Sequence, residues 1–93
     1  MIMYLHLGRE VVVRTGDIVG IFDLDTATVE QASRDFLAQA EAELRVTTIS
    51  PELPKSFIVT VEGGRERVYI SQIAATTLQR RATNTGQLTI ENG

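Results

Sequence analysis

The chain has 93 residues, of which 43% are hydrophobic and 23% charged, with no cysteine and a formal net charge of -3. That composition excludes a disordered or collagen-like chain, and the missing thiols exclude disulfides, zinc–thiolate sites, iron–sulfur clusters and a cysteine nucleophile. The acidic balance gives no support to polyanion binding by the body as a whole, so such a role needs a local basic patch.

Tyr4-Leu5-His6-Leu7 and Glu10-Val11-Val12-Val13-Arg14, split by Gly8-Arg9, predict two tightly joined strands, because stiff β-branched side chains suit a pleated surface. Thr15-Gly16-Asp17 is turn chemistry. Ile18-Val19-Gly20-Ile21-Phe22-Asp23 is a nearly continuous apolar run, expected of a strand covered on both faces, with a buried helical turn as the alternative. Over residues 28–44 the period changes: Val29, Ala32, Phe36, Leu37, Ala40 and Leu44 recur at helical spacing, with acidic residues on the other face. Thr28 with Gln31 has capping-box spacing, Thr26 is an equal candidate cap, and Asp25 favours the positive end of the helix dipole.

Val46-Thr47-Thr48-Ile49 reads as a short strand, followed by a loop from Ser50 to Ser56 that both prolines stiffen. Phe57 to Glu62, then Gly63-Gly64, then Arg65 to Ile70 predicts a hairpin, since two glycines accept the positive φ of a primed turn. Alternation places Phe57, Val59 and Val61 on one face, and Arg65, Arg67 and Tyr69 together on the return strand. Ser71 is a candidate cap for a second helix over residues 74–82, with Arg80 and Arg81 in its last turn. Residues 1–82 thus form one domain and residues 83–93 a polar tail, in which Gln87-Leu88-Thr89-Ile90-Glu91 alternates and is a candidate edge strand. The expected fold class is α+β: a small single domain with an antiparallel or mixed sheet, one long helix and one short.

His6 is the sole histidine and lacks partners at metal-ligand spacing, so it reads as a half-buried strand residue. Asp23 and Asp25 could hold a cation, but without a phosphate-binding glycine loop they read as a strand end entering a helix. Gly63-Gly64 has no following lysine and no helix, which leaves it a turn. No catalytic constellation, metal site or cofactor site is expected. No apolar run approaches the roughly 20 residues that span a bilayer, and the opening lacks the basic region of a signal peptide, so no membrane association is expected. The basic residues Arg9, Arg14, Lys55, Arg65, Arg67, Arg80 and Arg81 are the pattern with most promise, set against a solvated surface on which Glu10, Glu62 and Glu66 sit beside most of them.

Tyr4-Leu5-His6-Leu7-Gly8, Val11-Val12-Val13, the run from Asp17 to Asp23, Leu53-Pro54-Lys55-Ser56-Phe57-Ile58-Val59-Thr60 and Val68-Tyr69-Ile70-Ser71 with Thr77-Leu78 resemble the RemA/RemB-type extracellular-matrix regulators of Gram-positive bacteria, the RemB branch more closely. The resemblance runs from about Met3 to Arg81. It implies a cytoplasmic regulator of biofilm matrix expression. The RemA branch is a DNA-binding transcriptional activator that forms closed rings and resembles LytTR-type domains. Ring formation requires head-to-tail contacts between different patches of each copy, and repetition of a modest basic patch supplies avidity. The RemA branch uses an arginine directly after its second strand, a place that falls on Asp17. Its arginine pair in the next loop falls on Glu52-Leu53-Pro54-Lys55, where Lys55 is the remaining cation. The expected phosphate contacts are therefore Arg9, Arg14 and Lys55, with double-stranded DNA and further copies of the chain as partners. A ring-forming module that has lost DNA binding and modulates a partner regulator is the competing expectation, since Asp17 puts a carboxylate where a phosphate contact belongs.

Overall fold

The structure is a computed structural model describing residues 3–27 and 30–86. In chain order it contains β1 (Tyr4–Gly8), β2 (Val11–Arg14), a 3-10 turn (Thr15–Asp17), β3 (Ile18–Asp23), α1 (Leu24–Ala27), α2 (Gln31–Ala42), β4 (Val46–Thr48), β5 (Ser56–Glu62), β6 (Arg65–Ser71) and α3 (Ala75–Gly86). The fold is α+β. β1 and β2 form a separate hairpin, and the main sheet has the order β3-β5-β6-β4, with β4 parallel to β6 and the other pairs antiparallel. No helix among the described residues is long and apolar enough to cross a membrane.

The sheet is the middle of three layers, because period-two alternation along β5 and β6 gives it two apolar faces. Phe57, Val59 and Val68 point to one side, where α2 brings Phe36, Leu37 and Ala40. Ile58 and Tyr69 point to the other, against Leu5, Leu7 and Val13 of the hairpin and Leu78 of α3. Leu7, Ile58, Leu78 and Val68 are fully buried, each contributing roughly 1.5–3 kcal/mol of apolar burial. Buried hydroxyls join the layers. Ser71 Oγ donates to the Leu7 carbonyl at 2.6 Å and Ser56 Oγ to the Ile73 carbonyl at 2.8 Å.

Gly63 and Gly64 take φ of +58° and +81°, the primed turn expected between β5 and β6. Arg65, Arg67 and Tyr69 share a face, opposite Glu62, Thr60 and Ile58.

Several expectations need correction. The Ile18–Asp23 run is a strand, but only one of its faces is covered, by packing of Ile18 and Ile21 on the core: it is the outer strand of the sheet, interrupted by a register shift between Ile18 and Gly20, and Val19 and Phe22 are exposed. The helix expected over residues 28–44 ends at Ala42, which leaves Leu44 outside it and exposed; Thr28 and Val29 lie outside the described residues. A separate α1 precedes it, capped by Asp23, whose Oδ1 accepts from the N–H groups of Asp25 (2.8 Å) and Thr26 (3.3 Å). Thr26 is therefore inside α1, and Glu30 stands at the α2 N-cap, where its carboxylate caps no backbone N–H and accepts instead from Ser33 Oγ at 3.1 Å. Ser71 ends β6 and does not cap α3: its hydroxyl donates to the Leu7 carbonyl, and its oxygen accepts from the Ile73 N–H at 3.0 Å, two residues before the helix begins. α3 runs to Gly86, past the expected end, so Arg80 and Arg81 are not in its last turn, and the candidate strand at Gln87 to Glu91 lies outside the described residues.

Candidate nucleic-acid interface

Arg9 sits at the tip of the β1–β2 hairpin in a left-handed backbone conformation, φ +51°, that L side chains adopt at a cost. His6 of the same hairpin, exposed and not half-buried, points Nε2 at the Arg9 carbonyl. The guanidinium reaches across to the proline loop, where Nη2 donates to Ser50 Oγ at 3.5 Å and lies 3.9 Å from Glu52. Ser50 is buried, and its oxygen also accepts from the Glu52 N–H at 3.1 Å, so one hydroxyl folds the loop and receives the arginine. Hairpin tip and loop enclose a shallow depression of about 630 Å³ lined by Arg9, Glu10, Val11, Ile49 and Pro51.

Lys55 leaves the same loop. Its backbone is pinned on both sides, the N–H donating to Ser71 O at 2.8 Å and the carbonyl accepting from Leu24 N–H at 3.0 Å, while the residue is exposed. Arg9 and Lys55 are therefore carried by one end of the molecule. Arg14 is not with them. It closes β2 opposite Tyr4, about 10 Å along the strand from Val11 at 3.3 Å per residue. There it is exposed on the outer hairpin face beside Tyr4, His6 and Val12, three residues before Asp17 in the 3-10 turn. Among the described residues Arg14 and Lys55 carry no ion pair, whereas Arg9 is shared with Glu52.

A second group of cations lies at the opposite end of the sheet. Arg45 Nε contacts Glu43 at 2.8 Å, its Nη1 pairs with Glu66, and the guanidinium lies 5.9 Å from the centre of the Phe36 ring. A hydrogen bond from Gln39, and then Arg45, hold the Glu43 carboxyl below the usual carboxylate range. Arg65 and Arg67 line the adjoining depression, and Arg67 donates to Thr47 Oγ1 at 3.1 Å. Behind them Tyr69 OH and Thr60 Oγ1 both donate to Glu62 Oε2 at 2.7 Å. Burial first, then the bond to Glu62 and its charge, push the Tyr69 phenol up to about 12.

Asp23 is engaged in capping and His6 in the hairpin turn. No group of three or more His, Asp or Glu able to hold a metal occurs among the described residues. Sequence reasoning missed Ser50 and Glu52 as the receivers of Arg9. The Ser50-Pro51-Glu52 pattern, which favours a serine-capped turn, signals the loop geometry but not the arginine that reaches it.

No protein-family model matches the chain. It is 39% identical over 80 residues to extracellular matrix regulatory protein B of Bacillus subtilis (strain 168), an alignment covering 86% of this chain and 90% of that protein.

Proposed function

Because the chain belongs to the RemA/RemB-type extracellular-matrix regulator family, we propose that it regulates extracellular-matrix genes in the cytoplasm as a ring-shaped homo-oligomer that binds double-stranded DNA, mainly through backbone phosphates. The observation that carries this reading is Arg9. It holds a strained turn position that glycine would fill without cost, and it extends a guanidinium beside the loop of Lys55. Strain kept at an exposed cation marks a functional position. The ion pair with Glu52 is long and half exposed, with side-chain exposures of 54% and 64%. Such a pair is worth at most about 1 kcal/mol, so a phosphate displaces the carboxylate readily. Arg14, on the outer hairpin face, adds a separate contact.

A mobility-shift titration across a salt series tests the reading. Arg9→Gly removes the cation while relieving the backbone, and Lys55→Ala removes its neighbour. Each is expected to weaken binding uniformly across sequences and to lower the salt slope by about 1. Unchanged binding by the double variant refutes the assignment.

The second reading, a ring-forming module that acts on a partner regulator, is favoured by the same Glu52 contact and by Asp17, which lies three residues past Arg14. It predicts recovery of a protein partner after nuclease treatment and no retained nucleic acid.

A further inference from the structure

We propose that the outer face of the layer built from α3 and the β1–β2 hairpin is a second duplex-DNA surface, on which Arg80, Arg81 and Arg14 grip backbone phosphates. This rests on the preceding reading only in taking duplex DNA as the partner. α3 and the hairpin lie side by side on one face of the sheet. Leu78 packs with Leu5, Leu7 and Val13, and the helix touches β1 on one flank and β3 on the other. Gln79 Nε2 fixes the rotation of α3 by donating to the Ile21 carbonyl of β3 at 2.9 Å. At about 3.6 residues per turn, Arg80 then points away from the inward stripe of Ala75, Leu78 and Ala82, and Arg81 turns to the flank of β1. Both arginines are exposed. In the hairpin, burial of Leu5, Leu7 and Val13 sends Tyr4, His6, Val12 and Arg14 outward.

The helix starts at the end of the sheet where Ser71 holds the Leu7 carbonyl, and it runs back along the sheet, so that Gln79 meets Ile21. From Ala75 to Arg81 it rises about 9 Å, while β1 covers about 10 Å from Leu7 back to Tyr4. Arg81 therefore draws level with the Tyr4–Arg14 pair of the hairpin.

Charge is segregated across the sheet. α3 carries no acid, and neither do the outward positions of the two strands. Among the described residues Arg14, Arg80 and Arg81 have no ion pair. The acids of this layer are Glu10, beside Arg9 at the hairpin tip, and half-buried Asp17. On the opposite side of the sheet α2 and its ends expose Glu30, Asp35, Glu41 and Glu43 against Arg34, and Arg45 there is committed to Glu43 and Glu66. A net charge of -3 thus hides a cationic face. Unpaired guanidiniums gain nothing from their own chain, and a duplex offers them a charge about every 1.7 Å. The exposed side chains of α3 are Thr76, Gln79, Arg80, Arg81 and Thr83, with nothing apolar to enter a lipid surface. Arg9, by contrast, turns its guanidinium to Ser50 and Glu52 of the proline loop. The hairpin-tip end and the outer face therefore address different segments of DNA.

Mobility shifts of one short duplex by the full chain, run across a salt series, test this. The background is Arg9→Gly with Lys55→Ala, which silences the hairpin-tip end. Three remaining phosphate contacts give a log–log slope of about -2.7, and adding Arg80→Gln with Arg81→Gln reduces it to about -0.9 and weakens binding at least about tenfold at low salt. Arg80→Lys with Arg81→Lys keeps both charges and should restore binding. Urea unfolding of these helix variants should match their background, because neither guanidinium has a partner among the described residues. Residual binding that survives Arg80→Gln with Arg81→Gln overturns this face. So does a background that binds nothing while wild type binds, and the hairpin-tip site then stands. A wild type that binds no duplex removes both. Binding to anionic vesicles that is lost with the two arginines, while duplex binding persists, assigns the face to a lipid surface instead.

Discussion

The Tyr69–Glu62 contact makes the folded state sensitive to alkali in a way few small domains allow to be isolated. The chain has no cysteine, two tyrosines and Lys55 as its sole lysine, so little else titrates between pH 9 and 12. The Tyr69 phenol is pushed up from 10.0 to about 12 by burial and by the Glu62 carboxylate it donates to at 2.7 Å. A folded-state value above the unfolded one means that the native protein keeps a proton the unfolded chain has lost. The contribution is fully present below pH 10 and disappears as pH rises through about 12. At about 1.4 kcal/mol per unit, two units amount to roughly 2–3 kcal/mol. Urea unfolding of wild type at intervals across that window should show the loss. Tyr69→Phe should cost about 1–2 kcal/mol at neutral pH, since Glu62 keeps its bond from Thr60, and should flatten the alkaline limb. Tyrosinate absorbance should lose its late-titrating step in the same variant. A Tyr69→Phe protein that declines between pH 10 and 12 as steeply as wild type refutes the assignment.

Gly20→Ala places a Cβ 2.4 Å from the Phe22 ring and should cost about 1–2 kcal/mol by urea unfolding, through lost stacking on Phe57. The cost should shrink when Phe22→Ala is already present, and full additivity argues against the clash. Ser71→Ala removes the donor to the Leu7 carbonyl at 2.6 Å and the acceptor of the Ile73 N–H at 3.0 Å. It should destabilise by about 1–3 kcal/mol; a neutral result shows that water reaches both groups. Glu52→Gln frees Arg9 and should tighten DNA binding by no more than about fivefold, the ceiling set by an exposed ion pair. Weaker binding by that variant reverses the role given to Glu52.

Local chemistry was legible and distant contact was not. Gly63-Gly64 announces its turn because two consecutive positive φ values are something glycine alone supplies cheaply, whereas the helix cap was misplaced: Thr26 and Thr28 have the side chains of caps, yet it is the Asp23 carboxylate that reaches the free N–H groups of Asp25 and Thr26. The apolar run of β3 misled for a physical reason. Continuous hydrophobicity reports that both faces prefer cover, and here Val19 stays exposed and Phe22 is covered only in part, by Phe57. Leu44 misled likewise. It falls at helical spacing with Ala40, yet the Schellman cap turns the chain before the period is completed. The bond from Arg9 to Ser50 spans 41 residues of sequence, and no local pattern encodes it.

Assembly and DNA contact can be separated by how binding responds to salt. One copy brings Arg9 and Lys55 to a common end, so in an Arg14→Ala background two phosphate contacts give a log–log salt slope of about -1.8. The molecule measures 39 × 27 × 24 Å, comparable with the roughly 34 Å of one duplex turn. In the proposed assembly, copies spaced by one such dimension would present their ends to a duplex at intervals near one turn. Two engaged copies double the slope to about -3.6, and more copies raise it further until the duplex curves out of reach. Loss of a cation and loss of a neighbour then leave different marks. Lys55→Ala lowers the slope by an increment for every engaged copy while the assembly persists, whereas dilution that splits the assembly returns it to the single-copy value with both cations intact. A slope that stays near -1.8 in the assembled Arg14→Ala protein means that only one copy touches the duplex. Avidity then contributes nothing to the grip, and the net charge of -3 opposes binding unrelieved.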